Sequence, residues 1–249
     1  MKCTLITACY NDAEFLGDCI DGILKQSSED WEWIFVDDAS QDGSAEKVEV
    51  IKDERVRVIR NKANLGVAAS QKKALELATG EFCGIIDSDD KLHTEAVRIV
   101  SKCYKRIPKI GWLYSNHFWC DKNLKPGGVH KGKGISCPPM PGRSLVDMSL
   151  RRVHCFSHWR TFRTKVARSV DLYSGDLRWT EDKLMGYILE ENAPGAFLDH
   201  RLYYYRSYKG NMTSEIPREM HKRWMNLAIE RKKKRKAQGV KTFPIMRIK

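Results

Sequence analysis

Strand-like runs and helix-like spacings of apolar residues alternate through the first hundred positions of the chain. Residues 3–10, "CTLITACY", predict a strand. Behind it Phe15, Leu16, Cys19, Ile20, Ile23 and Leu24 recur along one helical face, with Asn11 or Asp12 placed to cap that helix. Residues 31–38, "WEWIFVDD", predict a second strand ending in carboxylates, and Ser44 opens a helix to about Lys52. Residues 55–60 predict a third strand, 66–78 an alanine-rich helix, 81–87 a fourth strand, and 93–106 a helix that stops before Pro108. This alternation predicts an α/β fold with a mostly parallel sheet covered on both faces. Residues 110–120 predict one more strand, in which Trp112, Tyr114, Phe118 and Trp119 read as mostly core. Five glycines and four prolines in residues 121–143 predict a long loop. From Ser144 onward the pattern reads as helical, most clearly over 182–191, and the basic end reads as a helix followed by a tail.

Composition narrows the classes. A chain of 249 residues that is 42% hydrophobic can bury a full core. Its apolar runs are too short to span a membrane, and its first residues lack the long apolar centre of a signal peptide, which predicts a cytoplasmic protein. Eight cysteines without a C-x-x-C fit buried thiols in a reducing compartment. The formal net charge is +12, and residues 218–249 hold twelve Lys or Arg against Glu219 and Glu230, so +10 of it lies there. The run "RKKKRK", 231–236, suits an anionic membrane surface or nucleic acid, or else is a solvated helix end.

Candidate chemistry lies where acids follow apolar runs. Asp37 and Asp38 end one predicted strand, and Asp87, Asp89 and Asp90 end another. In an open parallel sheet both clusters face the crevice beyond the carboxyl ends of the strands, where ligands bind. Carboxylates this close repel one another unless a cation relieves them, and a hard divalent ion completed by substrate phosphates is one answer. Helix capping by the same acids is the other. His154 and His158, four apart, lack the glutamate and the third ligand of a zinc site. No Walker loop and no G-x-G-x-x-G occurs, which sets aside P-loop and dinucleotide enzymes.

Four segments in order, "TACYNDAEFLGDCIDGILKQ", "WEWIFVDDASQDGS", "NLGVAASQKKALELATGEFCGIIDSDD" and "TEDKLMGYILEE", resemble the family 2 glycosyltransferases. The likeness is close over residues 3–91 and loose over 150–213. It implies the GT-A fold, a Rossmann-like three-layer sandwich, over residues 1–213. Within it, 1–107 would form the nucleotide-sugar-binding half and 108–213 the acceptor-side half, with 214–249 a basic helical extension. The resemblance further implies inverting transfer from a nucleoside-diphosphate sugar, with uridine as the nucleoside, assisted by Mn2+ or Mg2+. It sets Thr7, Tyr10 and Asn11 beside the nucleotide, Asp38 on the base, Lys73 against the donor, and Asp87 and Asp89 on ribose and metal, with Asp90 sharing the metal. Asp182, with Glu181 beside it, is the implied general base, and His158 and Trp179 belong to the acceptor side. One departure stands out: Tyr208 occupies the place of a histidine that holds the metal in many relatives. Either His200 or water substitutes, or Tyr208 and Arg206 hold the diphosphate. The implied acceptor is a hydroxyl of a glycan, a lipid-linked glycan or a modified nucleic acid, with residues 218–249 touching membrane or nucleic acid. Two other classes remain open: a nucleotide-sugar-binding protein without catalysis, and a nucleic-acid-binding protein that works through its basic end.

Overall fold

The computed structural model describes residues 1–127, 140, 143–151, 156–173, 181–211 and 218–249. Four parallel strands form one half of a mixed sheet: β1 (Cys3–Cys9), β2 (Trp31–Asp37), β3 (Val56–Arg60) and β4 (Phe82–Ile85). Helices α1 (Leu16–Leu24), α2 (Ser44–Glu49) and α3 (Val67–Leu77) are the crossovers between them. The short β5 (Lys91–Leu92) and α4 (Ala96–Arg106) lead to β6 (Trp112–Cys120). Next come α5 (Leu145–Leu150), β7 (Arg160–Arg163), α6 (Thr164–Ser169), α7 (Glu181–Asn192), β8 (Gly195–Arg206), α8 (Arg218–Gln238) and β9 (Ile245–Ile248). The strand order is β3-β2-β1-β4-β7-β6-β8-β5, and β9 also pairs with β8. β7 runs antiparallel to both β4 and β6, so it joins the two parallel blocks.

Strand alternation explains the two hydrophobic layers. Leu5, Trp33, Phe35 and Phe82 face one side with Val97, Val100 and Tyr104 of α4. Ile6, Ile34, Val36 and Ile85 face the other with Ala74 of α3 and Met185, Ile188 and Leu189 of α7. Gly84 lets the Trp159 indole lie flat on β4, because a Cβ there would run into the ring. The six cysteines among the described residues are free thiols, five of them buried. No helix among the described residues is long and apolar enough to cross a membrane.

The parallel sheet and the crossover helices agree with the sequence reading, while three local expectations do not. The stretch after Ser144 is not simply helical, since β7, β8 and β9 are strands. β7 is only four residues long, too short for a period to show, and β9 lies in the stretch expected as tail. Neither Asn11 nor Asp12 caps α1 with its side chain. The Asp12 carbonyl accepts the Phe15 and Leu16 N–H groups, and Asn11, at φ +55°, turns its side chain to the Gln41 N–H instead. α2 ends at Glu49, and the Ser44 N–H is held by the Asp42 carboxylate.

The C-terminal segment is also woven in rather than appended. α8 packs on α5 and α7, with Ala228 fully buried. Arg235, 8% exposed, donates from Nη2 to Glu190 at 3.0 Å and from Nε to Glu191 at 2.6 Å. Arg231 grips the Glu191 carboxylate with both arms of its fork, and Lys232 reaches Asp147 at 2.8 Å. Thus three cations of the basic run are paired within the fold, and Lys233, Lys234 and Lys236 stay exposed.

Gly84→Ala must push Trp159 off the strand. The expected loss is about 1–3 kcal/mol of unfolding free energy in a denaturant titration, the usual cost of overpacking a filled core.

Candidate active site

The carboxyl ends of β1, β2, β3 and β4 meet in one place, and loops laced to each other hold them there. The Asn11 N–H donates to Ser40 Oγ at 3.0 Å, the Asp12 N–H to Ser44 Oγ at 3.1 Å, and the Ala13 N–H to the Asp42 carboxylate at 2.8 Å. Tyr10, half exposed, stands at the rim of these loops. Asp38 is buried at 3% exposure. Its Oδ1 accepts from Asn61 Nδ2 and the Leu65 N–H, and its Oδ2 from the Gly66 N–H, all at 2.8–2.9 Å. Lys73 Nζ continues this chain to Asn61 Oδ1 at 2.8 Å.

The acidic turn after β4 hangs between β1 and β8. Ser88 makes a short hydrogen bond to Asp12 Oδ2, the Asp87 N–H donates to the Tyr203 hydroxyl at 2.9 Å, and the Arg206 N–H donates to Asp90 Oδ1 at 2.6 Å. Oδ2 of Asp90 is buried and has no hydrogen-bond partner of ordinary length among the described residues. Asp89 accepts from the Tyr208 hydroxyl at 3.3 Å. His158 lies between the Tyr203 and Tyr205 rings, at centroid distances of 4.8 and 5.0 Å, and brings Nδ1 to 3.5 Å from Asp87 Oδ2. Asp87, Asp90 and His158 therefore each offer a ligand atom, all within 4.8 Å of one another.

Across the site, α7 starts with Glu181 and Asp182. Arg160, at the start of β7, lies between the two acidic groups. Its Nη2 is 3.2 and 3.4 Å from the Asp87 oxygens, and its Nη1 is 4.0 Å from Asp182 Oδ2. The Asp182 side chain is 34% exposed, and its Oδ1 accepts the Lys183 N–H at 2.7 Å.

Crowded, buried acids hold protons longer than free ones. Burial, then the charges of Asp87 and Asp12, push the Asp89 carboxyl up to about 7. Burial and the neighbouring Asp182 raise Glu181 to about 7 as well. Asp87 and Asp90 are raised first by burial, although the Arg160 charge pulls Asp87 back. Burial and the nearby Arg160 hold His158 far below the ordinary histidine range, which keeps its imidazole neutral and able to ligate. Two carboxylates and a neutral imidazole suit a divalent ion, and Asp90 Oδ2, without a hydrogen-bond partner of ordinary length, fits a ligand atom.

Several expectations need correction. Asp89, expected to share the metal with Asp87 and Asp90, is not part of the three-residue cluster, in which His158, assigned to the acceptor side, takes the third place. Thr7 is fully buried and accepts the Trp33 indole N–H at 3.1 Å, so it underpins the strand end rather than facing a donor. Arg206 is no free diphosphate ligand. It is 2% exposed and donates to Asp18 at 2.7 Å, to the Asp89 carbonyl at 2.5 Å and to the Lys122 carbonyl, under the Phe15 ring. Both Asp38 oxygens pin the loop before α3, so the carboxylate shapes that loop. His200 is exposed on β8 and belongs to no metal cluster among the described residues. Trp179, His154 and residues 128–139 of the predicted loop lie outside the described residues. Sequence reasoning missed Arg160 and Tyr203. Reading "SHWR" as a strand would have put His158 and Arg160, two apart, on one face.

Residues 4–124 match the sequence profile described as Glycosyl transferase family 2. That span, just under half of the chain, is similar to this family. TuaG of Bacillus subtilis, a putative teichuronic acid biosynthesis glycosyltransferase, is 39% identical over 90 residues, which are 35% of this chain and 36% of TuaG. Among solved structures, S. aureus TarS 1–349 in complex with UDP-GlcNAc aligns at a TM-score of 0.75 and 21% identity, covering 93% of this chain and 66% of that one. The mannosyltransferase PcManGT from Pyrobaculum calidifontis, in complex with GDP-Man and Mn2+, aligns at 0.66 and 17% identity, covering 98% and 66%. The chain thus has the GT-A fold, and it spans about a third of TuaG and about two thirds of each of those two structures.

Glu181 makes a pH dependence testable. Its pKa is raised from 4.5 to about 7 on folding, so its ionisation opposes folding increasingly as pH rises between those values. The melting temperature of Glu181→Gln, measured against that of the unaltered protein, should climb from about pH 4.5 to about pH 7 and then level off. A constant difference across that interval would contradict the raised pKa.

Proposed function

We propose that the chain transfers a glycosyl residue from a nucleoside-diphosphate sugar, with uridine as the nucleoside, to an acceptor hydroxyl with inversion at the anomeric carbon. The observation that carries this reading is the convergence, around Arg160, of the Asp87–Asp90–His158 cluster and the Glu181–Asp182 pair. Asp87, Asp90 and His158 would hold Mn2+ or Mg2+, and a bound ion of this kind stabilises charge growing on a departing diphosphate. The complex of PcManGT with GDP-Man and Mn2+ supports the cation, and that of TarS with UDP-GlcNAc supports the uridine donor.

Asp182 is the proposed base, its side chain 34% exposed to the site while Glu181 has its Oε2 buried. Its carboxylate takes the proton of the acceptor hydroxyl as that oxygen bonds to the anomeric carbon. The bond from that carbon to the phosphate oxygen breaks, and the diphosphate leaves with the electron pair. A general base must lie within hydrogen-bond reach of the hydroxyl whose proton it takes. Tyr10 and Lys73, with the loop that Asn11 and Asp38 organise, frame the nucleoside side. The acceptor is a glycan or lipid-linked glycan hydroxyl, in keeping with the teichuronic acid biosynthesis in the name of TuaG. A modified nucleic acid is the weaker acceptor, because half of the densest basic run is already paired within the fold.

Two measurements test the reading. In a thermal-shift panel of UDP, GDP, CDP and ADP with and without Mn2+, UDP with Mn2+ should raise the melting temperature. Ligand at about a hundred times its Kd contributes about 2.7 kcal/mol, and Asp90→Asn should abolish the metal-dependent part. At saturating Mn2+, Asp182→Asn should keep the donor shift while transfer falls on the order of 10^2- to 10^4-fold, the usual share of a general base. Equal loss of binding and transfer would reject Asp182 as the base.

A further inference from the structure

Arg160 is held differently from the other buried arginines of the fold. Arg206 and Arg235 match carboxylates and carbonyls at 2.5–3.2 Å. The Arg160 side chain is as buried, at 9% exposure, yet its contacts to Asp87 are 3.2 and 3.4 Å, its approach to Asp182 is 4.0 Å, and its Nε is buried with no hydrogen-bond partner among the described residues. A guanidinium built as a fixed clamp would close a two-point fork on a single carboxylate at shorter distances. This one is shared between two acids and committed to neither. One of those acids belongs to the metal cluster, and the other is the proposed base.

We propose that Arg160 is the resident counter-ion of the site: it bridges Asp87 and Asp182 when no divalent cation is bound, competes with that cation for Asp87, and, once displaced, turns to Asp182 and positions the base. This role rests on the proposed glycosyl transfer for the meaning of the base, and on the Asp87–Asp90–His158 cluster for the ion. Arg160 touches no reacting atom and is a positioning residue.

The test is a Mn2+ titration of the metal-free protein without nucleotide, with free Mn2+ followed by electron paramagnetic resonance. Removing a positive charge beside a ligand carboxylate favours a second cation there, so Arg160→Gln should bind Mn2+ on the order of tenfold more tightly. A residue that merely braces the fold would bind it more weakly on removal. Arg160→Lys keeps the charge and should stay within about twofold of the unaltered affinity, while kcat falls because an ammonium cannot fork. If Arg160→Gln does not fold, Asp182→Asn decides. It releases Arg160 wholly to Asp87, so Mn2+ should bind severalfold more weakly. A folded Arg160→Gln with unchanged or weaker Mn2+ affinity overturns the proposal, as does an unaltered Mn2+ affinity in Asp182→Asn. An unaltered protein that binds no Mn2+ overturns it together with the metal site. The expected Mn2+ pattern without transfer of any sugar would reject the glycosyl-transfer reading and leave the counter-ion role standing.

Discussion

Mutual repulsion among carboxylates at the carboxyl ends of the strands is the constraint on which the rest of this molecule is organised. Asp12, Asp87, Asp89, Asp90, Glu181 and Asp182 come from three separate stretches of chain, and folding forces them together in a partly dry space. Such a cluster survives only where cations, protons or hydrogen bonds offset each charge. Each device is in use: Arg160 between Asp87 and Asp182, raised pKa values of about 7 on Asp89 and Glu181, and hydroxyl or backbone donors on Asp12, Asp89 and Asp90. The imidazole of His158, kept neutral by burial beside Arg160, adds a ligand without adding negative charge.

The antiparallel β7 makes this convergence feasible. In a sheet of parallel strands alone, crossover helices would separate the acidic turn after β4 from the start of α7. β7 sits between β4 and β6 and runs the other way, so Arg160 at its beginning lies beside the end of β4. Gly84 permits the approach, since Trp159 crosses β4 where a side chain would otherwise stand. The close packing of Trp159 carries its neighbours His158 and Arg160 to the acidic turn, so a detail of the core sets the geometry of the site.

Legibility in the sequence follows the length and regularity of each element. The four parallel strands and their crossover helices can be read because apolar periods persist over enough residues, and the acids at their ends mark the crevice. β7 and β9, four residues each, carry no readable period, and the aromatic run of β8 merges with an expected helical region. Residue type locates the site better than it assigns roles. Thr7, Asp38 and Arg206 do lie at or beneath the strand ends, but their polar atoms are occupied by Trp33, the loop before α3, and Asp18 with two carbonyls. Partners such as these come from distant parts of the chain, and spacing along the sequence does not reveal them.

The basic C-terminus shows the same limit from the opposite side. Taken as a run of charges, residues 231–236 look like a surface for polyanions, yet the helical period puts Arg231 and Arg235 on one face, four residues apart, where they meet Glu190 and Glu191 of α7. Lys183 of α7 also lies over the Trp224 ring of α8 at 4.4 Å, so the two helices run side by side in the same direction. α7 begins with the Glu181–Asp182 pair and carries the Glu190–Glu191 pair in its last turn. The basic helix therefore grips the far end of the element whose first turn carries the proposed base. Burying Arg235 and Glu190 together is a poor source of net stability, but it is selective, because a shift of either helix along the other would leave a buried charge without its partner. That selectivity sets the register of α7 against α8.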